Sequence, residues 1–168
     1  MTIISDEVIS LIKVESSSDI HYLEQCLNDQ EFQEFLFDAN EISIEKERLN
    51  FKIIKYNKTP IGVAYFNIKK YLGINESYLS IFINKKYRVY AFNSILKYFS
   101  YLFLDLEVDV VRFLVKSYNK NMNRLLYRLG FQIDGILNEN NDCKKMYLYS
   151  ITKEESLSFS ETFNNRYL

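Results

Sequence analysis

Apolar and polar positions alternate along this chain in short runs that switch between a period of two and a period near 3.6. Ser10 to Val14 is a short apolar run and predicts a strand. The cluster Ser16-Ser17-Ser18-Asp19 follows and predicts a helix N-cap, with Ile20, Leu23 and Leu27 at helical spacing behind it. Asn28-Asp29 interrupts that helix, and Glu31 to Phe37 predicts a second one carrying Phe32, Phe35 and Leu36. Leu49 to Tyr56 reads as a strand and Asn57-Lys58 as a hairpin turn. The returning strand is Thr59 to Lys69, with Pro60 near its start, where proline is tolerated. Tyr78 to Ile83 is the next strand, and a polar and aromatic loop follows over 84–93.

Phe92, Ile95, Leu96, Phe99, Leu102, Phe103 and Leu106 then mark an amphipathic helix. Val108 to Val115 is nearly continuous in Val, Phe and Leu, the pattern of a strand buried on both faces. The stretch NKNMNRLLYRLGF, at 119–131, places Met122, Leu125, Leu126 and Leu129 on one helical face. Asn121 is its expected N-cap, and Gly130 its left-handed stop. Phe131 to Leu137 and Lys144 to Ile151 predict a closing strand pair, and Thr152 with Glu155 a capping box for a C-terminal helix or tail. The order is β α α β β β α β α β β. Its central strand–helix–strand unit implies a parallel pair with a right-handed crossover, flanked by antiparallel hairpins. The expected fold is therefore α/β, a mixed, mostly antiparallel single sheet with a central parallel strand pair and helices on both faces.

Length and composition narrow this further. The 168 residues suit one domain, and 48% hydrophobic residues support a real core. With no repeat, linker or low-complexity block, one domain is expected over 1–155, with 156–168 as a tail or short helix. Phe159, Phe163 and Leu168 in that tail are expected to pack on a neighbour or on the core, in a monomer or a homodimer. A net charge of −1 argues against a nucleic-acid footprint. The start of the chain reads as no signal peptide, and Ile95 to Leu106, interrupted by Lys97 and Asp105, as a buried helix, so no membrane association is expected. Cys26 and Cys143 form no metal-ligand pair and are read as plain thiols of a reducing, cytoplasmic compartment. His21, the single histidine, is expected at the surface or its boundary.

Three stretches, taken in order, resemble the GNAT N-acetyltransferase superfamily. They are YLSIFINKKYR entering a loop and helix, NKNMNRLLYRLGF, and GFQIDGILNENNDCKKMYLYSITKEE at 130–155. The last resembles the branch containing ribosomal-protein N-terminal and amino-sugar acetyltransferases. The resemblance covers roughly residues 8 to 155 and implies acetyl-CoA as co-substrate, no metal, and a primary amine acceptor, either a small molecule or a peptide N-terminus. It implies that the strand at 78–83 splays from the strand at 109–115 to admit the pantetheine arm. Backbone groups near Phe82 and Ile83 would bond that arm. Amides of Arg88, Val89, Tyr90, Ala91, Phe92 and Asn93 would hold the pyrophosphate at a helix start, helped by Lys85, Lys86 and Arg88. Asn119 aligns with an asparagine that contacts the cofactor arm.

The chain departs from the family in two places. Arg88-Val89-Tyr90-Ala91-Phe92-Asn93 lacks the family's loop glycines. A left-handed residue other than glycine costs about 1–2 kcal/mol, so the loop is expected to follow a right-handed, helix-like path. The family tyrosine that protonates the leaving thiolate falls on Leu126, with Tyr127 one residue and about 100° further round the helix. Tyr127 is the candidate acid, or else a packing or substrate-pocket aromatic. For the base, the family glutamate position holds Tyr78. Glu76, two residues earlier, shares its face if the strand reaches that far, and Asp134, Glu139 and Asp142 are further acids on the acceptor side.

Energetics bear on the acceptor. Making an α-amine of pKa ~7.7–8.0 neutral at pH 7 costs about 1 kcal/mol, against about 4.6 kcal/mol for a lysine. With no obvious base, an α-amine or amino sugar is preferred over lysine. The rival expectation is a GNAT-fold binding or scaffold protein that has lost catalysis, and a further one is an acyltransferase using another thioester donor.

Overall fold

In the computed structural model, residues 9–30, 32, 48–138 and 145–158 are described. Strand β1 is Ile9–Lys13, helix α1 Ser17–Leu27, β2 Phe51–Tyr56, β3 Thr59–Tyr71 and β4 Ile74–Ile83. Helix α2 is Ala91–Ser100, β5 Val110–Lys116, α3 Lys120–Arg128, β6 Gln132–Asn138 and β7 Lys145–Thr152. The strands form one seven-stranded sheet in the order β1-β2-β3-β4-β5-β7-β6. The β4–β5 pair is parallel. This is the mixed, mostly antiparallel α/β sheet with one parallel pair that the pattern predicts. The second predicted helix, apart from Phe32, the acids Glu139 and Asp142, Cys143, and the tail residues Phe159, Phe163 and Leu168 lie outside the described residues.

Local chemistry sets the element ends. Ser16 caps α1, its hydroxyl accepting from Asp19 N–H, while the Asp19 carboxylate accepts from Ser16 N–H at 3.1 Å. The N-cap falls within the serine cluster that predicts one, and Asp19 closes it into a capping box. Asn57 and Lys58 both take positive φ (46° and 73°), which makes their turn the primed type that matches strand twist. Leu72 (49°) and Gly73 (86°) do the same between β3 and β4, and β4 therefore begins four residues earlier than its apolar run predicts. Predicted helix 92–106 is α-helical only to Ser100 and ends in a wider π turn, Tyr101–Asp105. Thr152 and Glu155 form their predicted capping box, with Thr152 N–H donating to Glu155 at 2.8 Å, ahead of helical residues 153–158.

Contacts divide the chain into two compact units, one of Met1–Phe66 with Ser80–Tyr98, the other of Asn67–Leu79 with Phe99–Leu168. The core of the first is Val14, Leu23, Cys26, Phe32, Phe51, Ile53, Val63 and Phe82. Phe32 meets Phe82 edge-on at 5.0 Å between centroids. Burial pushes the Cys26 thiol up to about 11, so this cysteine packs as a small apolar residue and stays protonated at neutral pH. Lys52 is buried as well, its ammonium donating to the Leu49 carbonyl at 3.0 Å, and desolvation lowers its pKa.

The second unit packs Phe99, Phe103, Phe113 and Phe131 against one another, with Leu126 and Leu129 fully buried. The parallel pair starts at a backbone and carboxylate clasp. Asn75 N–H donates to the Asp109 carboxylate (2.8 Å), and Asp109 N–H to the Asn75 carbonyl (2.9 Å).

The capping box gives a direct stability test. Replacement Ser16→Ala is expected to lower unfolding free energy by about 1 kcal/mol in urea titration. The Ser16 hydroxyl, then backbone groups and Lys55, hold the Asp19 carboxyl below its ordinary 3.8. Its contribution is therefore fully present above that pH and is lost as pH falls below it, through the lower folded-state value. Asp19→Asn is expected to flatten the acid limb of the stability profile.

Candidate functional site

The residues expected to bind a donor form one continuous stretch at the end of β4 in the first unit. Phe82 and Ile83 are buried at the strand end. The chain then turns through a 3₁₀ helix, Lys85–Tyr90, that runs directly into α2. Val89 is not among the residues with positive φ, so the glycine-free loop takes the right-handed path expected of it. Val89 itself is 79% exposed. Tyr90 stacks on Tyr56 with ring centroids 4.2 Å apart, fastening the turn to the end of β2.

That path changes which amides are open. Ala91 N–H donates to the Arg88 carbonyl. A helix preceded by helical turn has no free amide end at its own first residue. Ala91, Phe92 and Asn93 open α2. At the start of the 3₁₀ turn the Asn84 side chain accepts from Lys86 N–H at 3.3 Å, and Tyr87 N–H donates to the Asn84 carbonyl at 2.8 Å. The Ala91 amide is thus taken up within the turn. Lys85, Lys86 and Arg88 are exposed on the same turn.

Sequence reasoning missed Gly62. Opposite Ile54 and Lys55 of β2, β3 places Gly62 and Pro60, so Ile61 has no partner of its own and forms a bulge. The Ile61 carbonyl accepts from Asn84 N–H at 2.8 Å. A Cβ built on Gly62 would lie 2.1 Å from the Phe82 carbonyl oxygen and 3.0 Å from Ile83 Cα. No side chain fits there without moving β4 backbone. A glycine within an apolar strand run was the available signal.

The remaining candidates lie in the second unit. Asn119, not Asn121, is the N-cap of α3, its side-chain oxygen accepting from Met122 N–H at 3.2 Å. The helix starts one residue before Asn121, so Asn121 lies in its first turn. Asn123, unremarked in the sequence, shares its amide hydrogens among the carbonyls of Lys116, Ser117 and Asn119. It also accepts from the buried Tyr149 hydroxyl at 3.0 Å. Burial, then Tyr147, raises the Tyr149 phenol above its ordinary pKa. Leu126, at the position of the family tyrosine, is fully buried, while Tyr127 is 77% exposed. Of the two non-catalytic roles expected of Tyr127, packing or lining a substrate pocket, its exposure speaks against packing, because the helix turns position 126 inward and 127 outward.

Glu76 lies in β4, which does extend that far, and both its oxygens accept from Arg112, at 2.9 and 3.2 Å. Arg112 also donates to Asp134 at 2.9 Å, and Ser150 donates to the same Asp134 oxygen. Asp134 sits at a bulge of β6, between residues paired with Tyr149 and Leu148. The hydrogen bonds that Arg112 donates to Glu76 raise a guanidinium pKa that is already high. His21 lies exposed on α1, close to Gln25 and Glu24.

No protein-family model and no curated protein sequence matches the chain. Solved structures do match. A spermidine N-acetyltransferase from Vibrio cholerae in complex with CoA and spermine superposes with a TM-score of 0.73 at 16% identity, over 89% of this chain and 98% of that one. An aminoglycoside N(6')-acetyltransferase from Legionella pneumophila gives 0.71 at 14% identity, over 94% and 99%. A GNAT-family acetyltransferase from Bacillus anthracis gives 0.69 at 16%, over 88% and 98%. The fold of this chain is that of the GNAT acetyltransferases. Among the described residues no His, Cys, Asp and Glu group could hold a metal ion, and no helix is long and apolar enough to cross a membrane.

Removing the central cation of the carboxylate cluster is expected to be costly. Arg112→Met should lower stability by about 2 kcal/mol, since two carboxylates lose charged hydrogen bonds. Arg112→Lys should restore only part of this, because a lysine cannot make the paired bond. Chemical denaturation of the two variants checks both expectations.

Proposed function

We propose that the protein is an acetyl-CoA-dependent N-acetyltransferase acting on a primary amine. The observation that carries this is the course of β4. Its described pairing with β5 covers only Glu76, Ser77 and Tyr78. The strand then continues to Ile83 and passes straight into a turn bearing Lys85, Lys86 and Arg88. A strand segment past its pairing offers backbone groups to an extended arm, and the cations that follow suit the phosphates at the arm's far end. The match in fold to enzymes described as acetylating spermidine and aminoglycosides supports the same reaction class.

In this reading the neutral amine attacks the thioester carbonyl carbon, a nitrogen–carbon bond forms, and the carbon–sulfur bond breaks. The amine loses one proton and the departing CoA thiolate gains one. Backbone amides at the end of β4 polarise the carbonyl. Glu76 is engaged by Arg112, so the amine passes its proton to water or to a group other than a free Glu76. Tyr127 is the remaining candidate for reprotonating the thiolate. The acceptor is an α-amine or an amino sugar rather than a protein lysine, because a weak or water-mediated base suffices for amines of lower pKa.

A second reading rests on the fully buried Leu126 and on the Ala91 amide taken up inside the turn. On it, the protein is a GNAT-fold binding module without catalysis, or an acyltransferase using another thioester.

Release of free CoA thiol with peptide N-termini, amino sugars, aminoglycosides and polyamines tests the first reading. Acceptor-dependent release is the expected result, and its absence with every amine favours the second. Arg88→Glu should weaken acetyl-CoA binding by roughly tenfold, and more at low salt than at high salt. If Tyr127→Phe keeps the full rate, the tyrosine is not the acid.

A further inference from the structure

We propose that Gly62 is a positioning residue for the donor's acyl group, resting on the proposed acetyl transfer. Its missing side chain lets β4 close onto β3 so that the Ile83 N–H faces away from β3, where a thioester carbonyl can accept from it. In a regular strand pair, Cβ atoms stand off the two faces of the sheet and meet no backbone of the next strand. At Gly62 the bulge at Ile61 breaks that arrangement, and the Phe82 carbonyl oxygen occupies the space a Cβ would take, 2.1 Å from its ideal position. A trans peptide sets its C=O and N–H in opposite directions. With the Phe82 oxygen against Gly62 of β3, the N–H of the same peptide, which belongs to Ile83, is turned to the other side.

The next amide fixes the geometry from beyond. Asn84 N–H donates back to the Ile61 carbonyl at 2.8 Å, so the Phe82–Ile83 peptide is held between a backbone contact and a backbone bond, both to β3. The buried faces of Phe82 and Ile83 keep it from rotating away. A methyl at position 62 pushes on backbone, not on a flexible side-chain end, and therefore moves the Ile83 amide itself.

Gly135 is a matched control. It is also a strand glycine, and a Cβ there meets nothing within 4 Å. Acetyl-CoA and CoA are titrated separately into the wild type, Gly62→Ala and Gly135→Ala by calorimetry. The expected result is a loss of affinity for acetyl-CoA in Gly62→Ala that exceeds the loss for CoA by roughly tenfold, the size of one hydrogen bond. Gly135→Ala is expected to match the wild type. Equal changes for the two ligands in Gly62→Ala, or none, overturn the proposal while leaving the acetyl-transfer reading intact. A wild type that binds neither ligand overturns that reading and the proposal with it. Nuclear magnetic resonance of the wild type covers the case in which Gly62→Ala does not fold. There the Ile83 amide should shift further with acetyl-CoA than with CoA, and an amide that responds identically to the two ligands overturns the proposal.

Discussion

A backbone oxygen lying where a side chain would begin is the constraint on which the first unit's candidate site depends. The Phe82 carbonyl can approach β3 only because position 62 carries no Cβ, and the approach coincides with an unpaired residue at Ile61. From there the course of the chain follows. Asn84 is tied back to Ile61, the strand ends, and the turn of Lys85–Tyr90 begins at a fixed place. The buried aromatic face of Phe82 against Phe32 anchors the same strand end in the core. Packing and presentation of backbone groups are therefore settled by the same few residues.

The turn that follows shows how one side-chain class reshapes a site. Val89 disfavours positive φ, so the backbone keeps right-handed geometry and winds directly into α2. The winding engages the Ala91 N–H with the Arg88 carbonyl. On the proposed function, Lys85, Lys86 and Arg88 bring positive charge to an anion at this turn. A point charge on a flexible stem binds less specifically than a preformed ring of amides and is screened more by salt. The stack of Tyr90 on Tyr56 compensates in part by holding the turn against β2.

Most of the fold was legible because strand and helix periods are written plainly in this sequence. Serine and threonine caps, the Asn57-Lys58 turn and the Gly130 stop were each read from local chemistry. The start of β4 was not, since Leu72 adopts a positive φ that its residue type disfavours, and no pattern in a polar stretch announces it. The site was less legible. The resemblance aligned Asn119 with a ligand contact, yet Asn119 has a capping role sufficient to explain it, and Asn123 carries the wider hydrogen-bond network. Glu76 was visible as an acid on the correct strand, but its engagement by Arg112 depends on pairing between elements 36 residues apart. Gly62 was hidden for the same reason, because the collision that makes it necessary lies on another strand.

The central claim is that the end of β4 and the turn after it hold an acyl-CoA thioester despite the missing glycines. Calorimetric titration of acetyl-CoA into the unmodified protein tests this most directly. Saturable binding in the micromolar range, weakening as salt is raised, is the predicted result. Absence of binding at millimolar acetyl-CoA would contradict it.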